Sequence, residues 1–139
     1  MKTYQFIKND IGEVVNVDKI TAVTFDHTRA PYEMRVYTPA TKFGIAFHYA
    51  TPEKMWRALN NLDDIWMDDT IEFANWRIAS SAIESISITA HGLRVRMDDG
   101  QNFDIMIENR EEVEAMKKEI EESLIGMYAL KDLDVDDEE

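Results

Sequence analysis

Apolar and polar residues alternate along three consecutive stretches in the second half of the chain. Residues 83–90, 93–97 and 103–108 place an apolar side chain at nearly every second position, and a strand turns successive side chains to opposite faces. Residues 98–102 consist of Asp, Gly, Gln and Asn, which favour a turn. The pattern predicts three antiparallel strands, with a further strand at residues 76–78.

A helix is predicted after each set of strands. Thr51 precedes Pro52 and Glu53, an N-cap followed by proline and an acid in the first turn. Asn109 with Glu112 three residues later forms a second start, similar to a capping box. Apolar residues then recur at helical spacing: Met55, Leu59 and Leu62 in the first helix, and Val113, Met116, Ile120 and Leu124 in the second.

The first half shows a looser copy of the same order. Strands are predicted at 4–7, 14–17 and 19–25, and a hairpin pairs 34–38 with 43–49 across the turn 39–42. Period-2 alternation in the hairpin predicts one core face, formed by Met34, Val36, Phe43, Ile45, Phe47 and Tyr49.

The predicted fold class is α+β, with two tandem ββββα repeats. The repeats span about 4–62 and 72–125, joined by a linker at 63–71, and their antiparallel sheets pack with two helices around a shared core. Residues 1–131 would form a single domain. In the linker, insertion of Ile65 or Trp66 into the core is favoured over an exposed docking patch.

Length and composition are those of one globular domain. The chain has 139 residues, of which 45% are hydrophobic and 31% charged. No apolar run approaches the roughly 20 residues that a membrane helix needs, and the N-terminal residues lack the features of a signal peptide. Cysteine is absent, which excludes disulfides and favours a cytoplasmic location.

Charge is distributed unevenly along the chain. The net charge is −13, yet residues 1–62 carry eight Lys or Arg against six Asp or Glu. Residues 63–139 carry seven basic residues against 22 acidic ones. A tail at 132–139 is predicted to be disordered and either regulatory or partner-binding, through Asp132, Asp134, Asp136, Asp137, Glu138 and Glu139.

No motif for catalysis or for a cofactor is present. The sequence has no glycine-rich phosphate loop, no nucleophile elbow and no pair of metal ligands at helical spacing. His27, His48 and His91 are far apart, and the aspartate pairs do not fit a calcium-binding loop. We therefore predict that the protein is not an enzyme and binds no metal or cofactor.

The sheet faces turned away from the predicted core carry arginine, tyrosine and small residues. Such a surface could hold a planar anionic ligand, and single-stranded nucleic acid is the first hypothesis. The predicted binding residues are Arg35, Tyr37, Lys42, His48, Arg94 and Arg96. The alternative is structural: Arg96 pairs with Asp104 across the strands, Tyr37 covers Gly44, and a second subunit buries the face.

Two successive four-strand-plus-helix units resemble the repeat plan of the whirly proteins and of related coactivators that bind single-stranded DNA. This resemblance implies nucleic-acid binding on the outer sheet faces, at Arg35, Tyr37, Arg94 and Arg96. The acidic tail resembles the partner-recruiting tails of bacterial and phage single-strand-binding proteins.

The predicted function is therefore non-enzymatic binding of single-stranded nucleic acid, in a protein of a phage or mobile element. One alternative is an acidic protein-interaction module, or an inhibitor that mimics nucleic acid and binds a basic protein. The other is a structural subunit of a homo-oligomer.

Overall fold

The computed structural model describes residues 5–66, 69–73, 75–107 and 109–127. Within these ranges the chain forms ten strands and two α-helices. In chain order they are β1 (Phe6–Lys8), β2 (Val14–Asn16), β3 (Ala22–Asp26), β4 (Tyr32–Tyr37), β5 (Ile45–Tyr49), α1 (Pro52–Ile65), β6 (Thr70–Phe73), β7 (Trp76–Ala79), β8 (Ile83–Thr89), β9 (Gly92–Met97), β10 (Asn102–Met106) and α2 (Arg110–Met127). Short 3₁₀ turns, Val17–Lys19 and Ser80–Ala82, precede β3 and β8.

The strands form three antiparallel sheets. Strands β1 and β2 make a hairpin, β8, β9 and β10 make a three-stranded sheet in the order β10-β9-β8, and the largest sheet has the order β5-β4-β3-β7-β6. The predicted α+β class is confirmed.

The predicted ββββα unit is wrong in its strand count. Each half contains a hairpin, a 3₁₀ turn, three strands and a helix, and β6 falls where a linker was predicted. Strand β7 also pairs with β3, so the five-stranded sheet combines strands from both halves. An internal duplication of the chain stays a prediction, as does the division into a domain and a tail.

Helix α1 packs against β4 and β5 and forms as its sequence predicts. The Thr51 hydroxyl accepts a hydrogen bond from the Lys54 N–H at 3.2 Å, which satisfies one of the free donors of the first turn. The predicted apolar stripe is buried, at Met55, Leu59 and Leu62. Trp66 follows the helix and is also buried, so the core role predicted for this segment is confirmed.

Alternation predicts one core face for the three-stranded sheet. It is confirmed for Leu93, Val95, Met97, Phe103 and Ile105, which are buried, whereas Ile86, Ile88 and Ile107 are only partly buried. The predicted pairing across its turn was wrong. The Met97 N–H donates to the Gln101 carbonyl at 2.8 Å. This closes a short turn and places Asp104 opposite Arg94, with Asn102 opposite Arg96.

The hairpin of β4 and β5 contains one wrong core assignment. Phe43 is 77% exposed because β5 begins only at Ile45 and Gly44 takes a positive φ of 76°. That backbone conformation, which favours glycine, ends the alternation before it reaches Phe43.

Helix α2 starts where its cap predicts. The Asn109 side-chain oxygen accepts a hydrogen bond from the Glu111 N–H at 2.8 Å, and Val113 is buried. The helix continues through Met127. The six acidic residues predicted to bind a partner, at 132–139, lie outside the described residues, as do Met67 and Asp68 of the predicted linker.

Candidate functional site

A cleft of ≈ 800 Å³ opens where the five-stranded sheet meets the three-stranded sheet. One wall comes from β4 and the turn that follows it. The other comes from β10 and the turn between β9 and β10. The lining residues are Arg35, Tyr37, Pro39, Lys42, Phe43, Trp76, Asp99, Gly100, Gln101, Asn102, Phe103 and Asp104.

Three aromatic rings pack together in the cleft. Tyr37 and Trp76 pair with opposite edges of β3, which places them on one sheet face, and their rings stack with centroids 5.5 Å apart. Phe103 of β10 meets Tyr37 at 4.9 Å and Trp76 at 4.8 Å. The three rings thereby cover much of one another. Burial raises the pKa of Tyr37 above its usual value.

Gln101 joins the two turns that border the cleft. Its side-chain N–H₂ donates to the Thr38 carbonyl at 3.1 Å and to the Pro39 carbonyl at 3.5 Å. Its side-chain oxygen is buried and has no hydrogen-bond partner among the residues that the structure describes. These contacts hold the turn after β4 at a fixed position relative to the turn before β10.

The cations of the cleft differ in how far they are neutralised. Arg35 donates to both carboxylate oxygens of Glu33, at 2.9 and 3.0 Å, and to the Phe43 carbonyl at 2.8 Å. The hydrogen bond to Glu33 raises the pKa of Arg35. Within the described ranges Lys42 has no ion pair, and its ammonium lies 5.7 Å from the centre of the Phe43 ring. Asp99 and Asp104 provide opposite charge across the cleft.

The structure brings three of the six predicted binding residues together in the cleft: Arg35, Tyr37 and Lys42. Arg94 and Arg96 lie instead on the outer face of the three-stranded sheet. Arg94 pairs with Asp104 at 2.8 Å and Arg96 with Glu84 at 3.2 Å. The predicted Arg96–Asp104 pair is therefore replaced by two other pairs.

His48 lies on β5 and does not line the cleft; one ring nitrogen is 3.3 Å from Glu33 and the other 3.9 Å from Asp10. Glu33 thus contacts both His48 and Arg35. The predicted open arginine surface is not what forms, because a carboxylate contacts each of Arg35, Arg94 and Arg96. Part of the face is also covered, since Ala22 is fully buried.

Sequence reasoning missed several residues of the cleft, notably Trp76, Gln101 and Phe43. The sequence predicts a strand at Trp76 but not the surface that it reaches, because its partner on β3, Thr24, lies 52 positions earlier (76 − 24). Gln101 carries no sequence signal, since its role depends on the position of a turn about sixty residues earlier. For Phe43 the sequence does carry a signal, the neighbouring glycine. Gly44 adopts a positive φ, and Phe43 therefore lies outside strand β5.

Metal and membrane features can be assessed for the described part of the chain. Residues 5–66, 69–73, 75–107 and 109–127 contain no group of three or more His, Cys, Asp or Glu side chains able to hold a metal ion. No helix in these ranges is long and apolar enough to cross a bilayer.

The chain was compared with known proteins. No protein-family description matches the sequence, and no curated protein matches it. The structure is similar to a solved structure described as the LytTr DNA-binding domain of a methyl-accepting/DNA response regulator from Bacillus cereus, with a TM-score of 0.51 and 12% sequence identity. The match covers 89% of this chain and 98% of that domain. The fold is of the LytTr type.

This likeness corrects the resemblance to the whirly proteins, which was wrong. The match extends over nearly the whole length of the solved domain. The sheets have two, five and three strands, in place of the two four-stranded units that the sequence pattern predicts. The sequence pattern favoured two similar units because alternation is clear only in strands β3–β5 and β8–β10, and a helix follows each of these sets.

Proposed function

We propose that this protein is a DNA-binding module that contacts double-stranded DNA at the mouth of the cleft. The observation that carries the proposal is the LytTr-type fold, which matches 98% of a domain described as DNA-binding. The cleft supplies a concave surface with a cation and an exposed ring on one rim and the Asn102 side-chain amide on the other.

Duplex DNA fits this surface better than a single strand. Proteins that hold single strands offer aromatic rings on which successive bases stack. Here Tyr37, Trp76 and Phe103 are already packed against one another. Phe43 alone among the cleft aromatics is largely exposed. We therefore propose duplex DNA as the ligand, in place of the single strand that the sequence pattern predicts.

Charge limits how the DNA can be bound. A net charge of −13 repels the phosphate backbone at long range, so contact must be local. Lys42 is the cation of the cleft that no described carboxylate neutralises, and we assign it to a backbone phosphate. Asn102, which is exposed, can offer its side-chain amide to a base edge. Arg35, held by Glu33, positions the turn that carries Lys42.

Fluorescence anisotropy with a labelled duplex and with the matching single strand, at low salt, tests this function. Lys42→Glu should weaken duplex binding roughly tenfold or more, since it reverses a phosphate contact. Lys118→Glu is the matched control, because Lys118 is exposed on α2 and has no ion pair within the described residues. Absence of duplex binding by the unaltered chain, or equal effects of the two variants, would refute the proposal.

In the same proposal, the acidic tail at 132–139 regulates DNA binding. Its carboxylates would compete with DNA for Lys42, so a chain ending at residue 131 should bind the duplex more tightly.

A second candidate function, binding of a basic protein, is favoured by helix α2. Its exposed acidic side chains outnumber its three basic ones: Glu111, Glu112, Glu114, Glu119, Glu121 and Glu122. Such a surface attracts a basic partner. A lysine-rich peptide in place of the duplex separates the two functions, because Lys42→Glu would then leave binding unchanged or strengthen it.

A further inference from the structure

Strand β8 is an open edge of the three-stranded sheet. It runs from Ile83 to Thr89 and is, at seven residues, the longest strand in the described ranges. The sheet order β10-β9-β8 places it at the end, and β9 is its hydrogen-bonded neighbour. Along residues 5–66, 69–73, 75–107 and 109–127, no element hydrogen-bonds to its other side.

The other sheet edges are better protected against pairing. The edge at β5 receives a hydrogen bond from the Asn9 side chain to the Ala46 carbonyl, at 2.9 Å. Strand β6 has four residues and carries Glu72, and β10 has five residues with Asp104 at its centre. Natural edges prevent association with charged side chains, proline or a bulge. In β8 the one charge, Glu84, and the bulge both lie at the start of the strand, so residues 85–89 carry none of these features.

The side chains of β8 are complementary to those of a second β8. Ile86 and Ile88 point toward the core and are only partly buried. Ser85 and Ser87 lie on the opposite face, beside Arg96 and Arg94. In an antiparallel pair centred on Ser87, Ile86 meets Ile88 of the second copy and Ser85 meets Thr89. No charged side chain then opposes another across the seam.

We propose that two copies of this chain associate through β8, forming one continuous six-stranded antiparallel sheet. Main-chain hydrogen bonds would join the strands, and the exposed parts of Ile86 and Ile88 would be covered. The seam is short, so the dimer is weaker than one with an interface of standard size. This inference does not rest on DNA binding.

A single cysteine tests the register. The chain has no cysteine of its own, so Ser87→Cys introduces one thiol, on the two-fold axis of the proposed dimer. Directly opposed residues in antiparallel strands have Cα atoms about 4.5–5.5 Å apart, which suits a disulfide. Asn102→Cys is the control, since Asn102 is also exposed on an edge strand.

Under mild oxidation, Ser87→Cys should give mostly a disulfide-linked dimer on a non-reducing gel, and Asn102→Cys should stay mostly monomeric. Equal crosslinking of the two variants would contradict the proposed seam.

A charge reversal tests the association without any crosslink. Ser87→Glu places a carboxylate beside Arg94 in its own chain, so the monomer should fold normally, which circular dichroism checks. In the dimer the two carboxylates face each other across the axis, and like charges directly opposed are destabilising. Sedimentation equilibrium should show the unaltered chain dimerising with rising concentration and Ser87→Glu remaining monomeric.

Mixing Ser87→Glu with Ser87→Lys should restore a heterodimer. A chain that is monomeric at every concentration would overturn the proposal. It would do so even if a peptide of another protein bound to the edge of β8.

Discussion

At the scale of single residues, much of the site is decided by neighbours that a sequence pattern does not pair. Glu33 and Arg35 are two positions apart on β4, so their side chains share a face, and the carboxylate neutralises the guanidinium. The alternation correctly placed Arg35, Tyr37 and His48 on the face opposite Met34. It gave no information on how much charge would remain there, because that depends on side-chain contacts.

Gly92 offers a test of backbone packing at one residue. Its φ is +152°, and a Cβ atom there would lie 1.9 Å from the Ile105 carbonyl oxygen. Gly92→Ala should lower the free energy of unfolding by about 2–3 kcal/mol, since strain and a backbone clash combine. Gly100→Ala is the control. It also has a positive φ, but no atom lies within 4 Å of the added Cβ, so about 1 kcal/mol is expected. Urea denaturation of both variants measures the difference, and equal losses would contradict the clash.

At the scale of elements, the sequence predicted the parts whose signals are local. Both helix starts, the buried stripe of α1 and the alternating strands β9 and β10 follow from capping and periodicity. Strand β6 was missed because four residues beside an acidic segment give too short a pattern. The pairing of Arg94 with Asp104 was missed because the turn is two residues shorter than predicted, which moves every partner by two positions and leaves the faces unchanged.

Gln101 tests the link between the two turns of the cleft. Gln101→Glu should lower the free energy of unfolding at pH 7 by about 2 kcal/mol, because a carboxylate would face the Thr38 and Pro39 carbonyls. Gln101→Met should cost about 1 kcal/mol or less, since it removes the donors together with the unpartnered oxygen.

The glutamate variant should also show a pH dependence of known sign. Burial beside carbonyl oxygens would raise the pKa of the new carboxyl in the folded state. The stability of this variant should therefore be highest below the unfolded pKa of about 4.3. It should fall as pH rises through the folded pKa. Urea titrations of the variant and the unaltered chain between acidic and neutral pH measure this. A constant difference across that range would show that the side chain does not approach the two carbonyls.

At the scale of the whole molecule, two kinds of association should respond to salt in opposite directions. Each copy carries a net charge of −13, so dimer formation works against repulsion that salt screens. Raising NaCl from low to physiological concentration should therefore strengthen the β8 dimer. Duplex binding should weaken over the same range, because contacts to phosphate release counterions. Sedimentation equilibrium and anisotropy across one salt series check both. A shared direction of change would mean that one of the two interfaces is misassigned.

Strand β3 has one neighbour from its own half of the chain, β4, and the other, β7, arrives much later. The hydrogen bond that links Thr24 to Asn75 spans 51 residues. During synthesis, the backbone groups on one side of β3 therefore stay unpaired until residue 79 has left the ribosome. Long-range strand pairing of this kind slows folding, and until it is complete an unpaired strand edge that is prone to aggregation stays exposed. The period of greatest risk for this protein thus ends only when β7 has emerged and paired with β3.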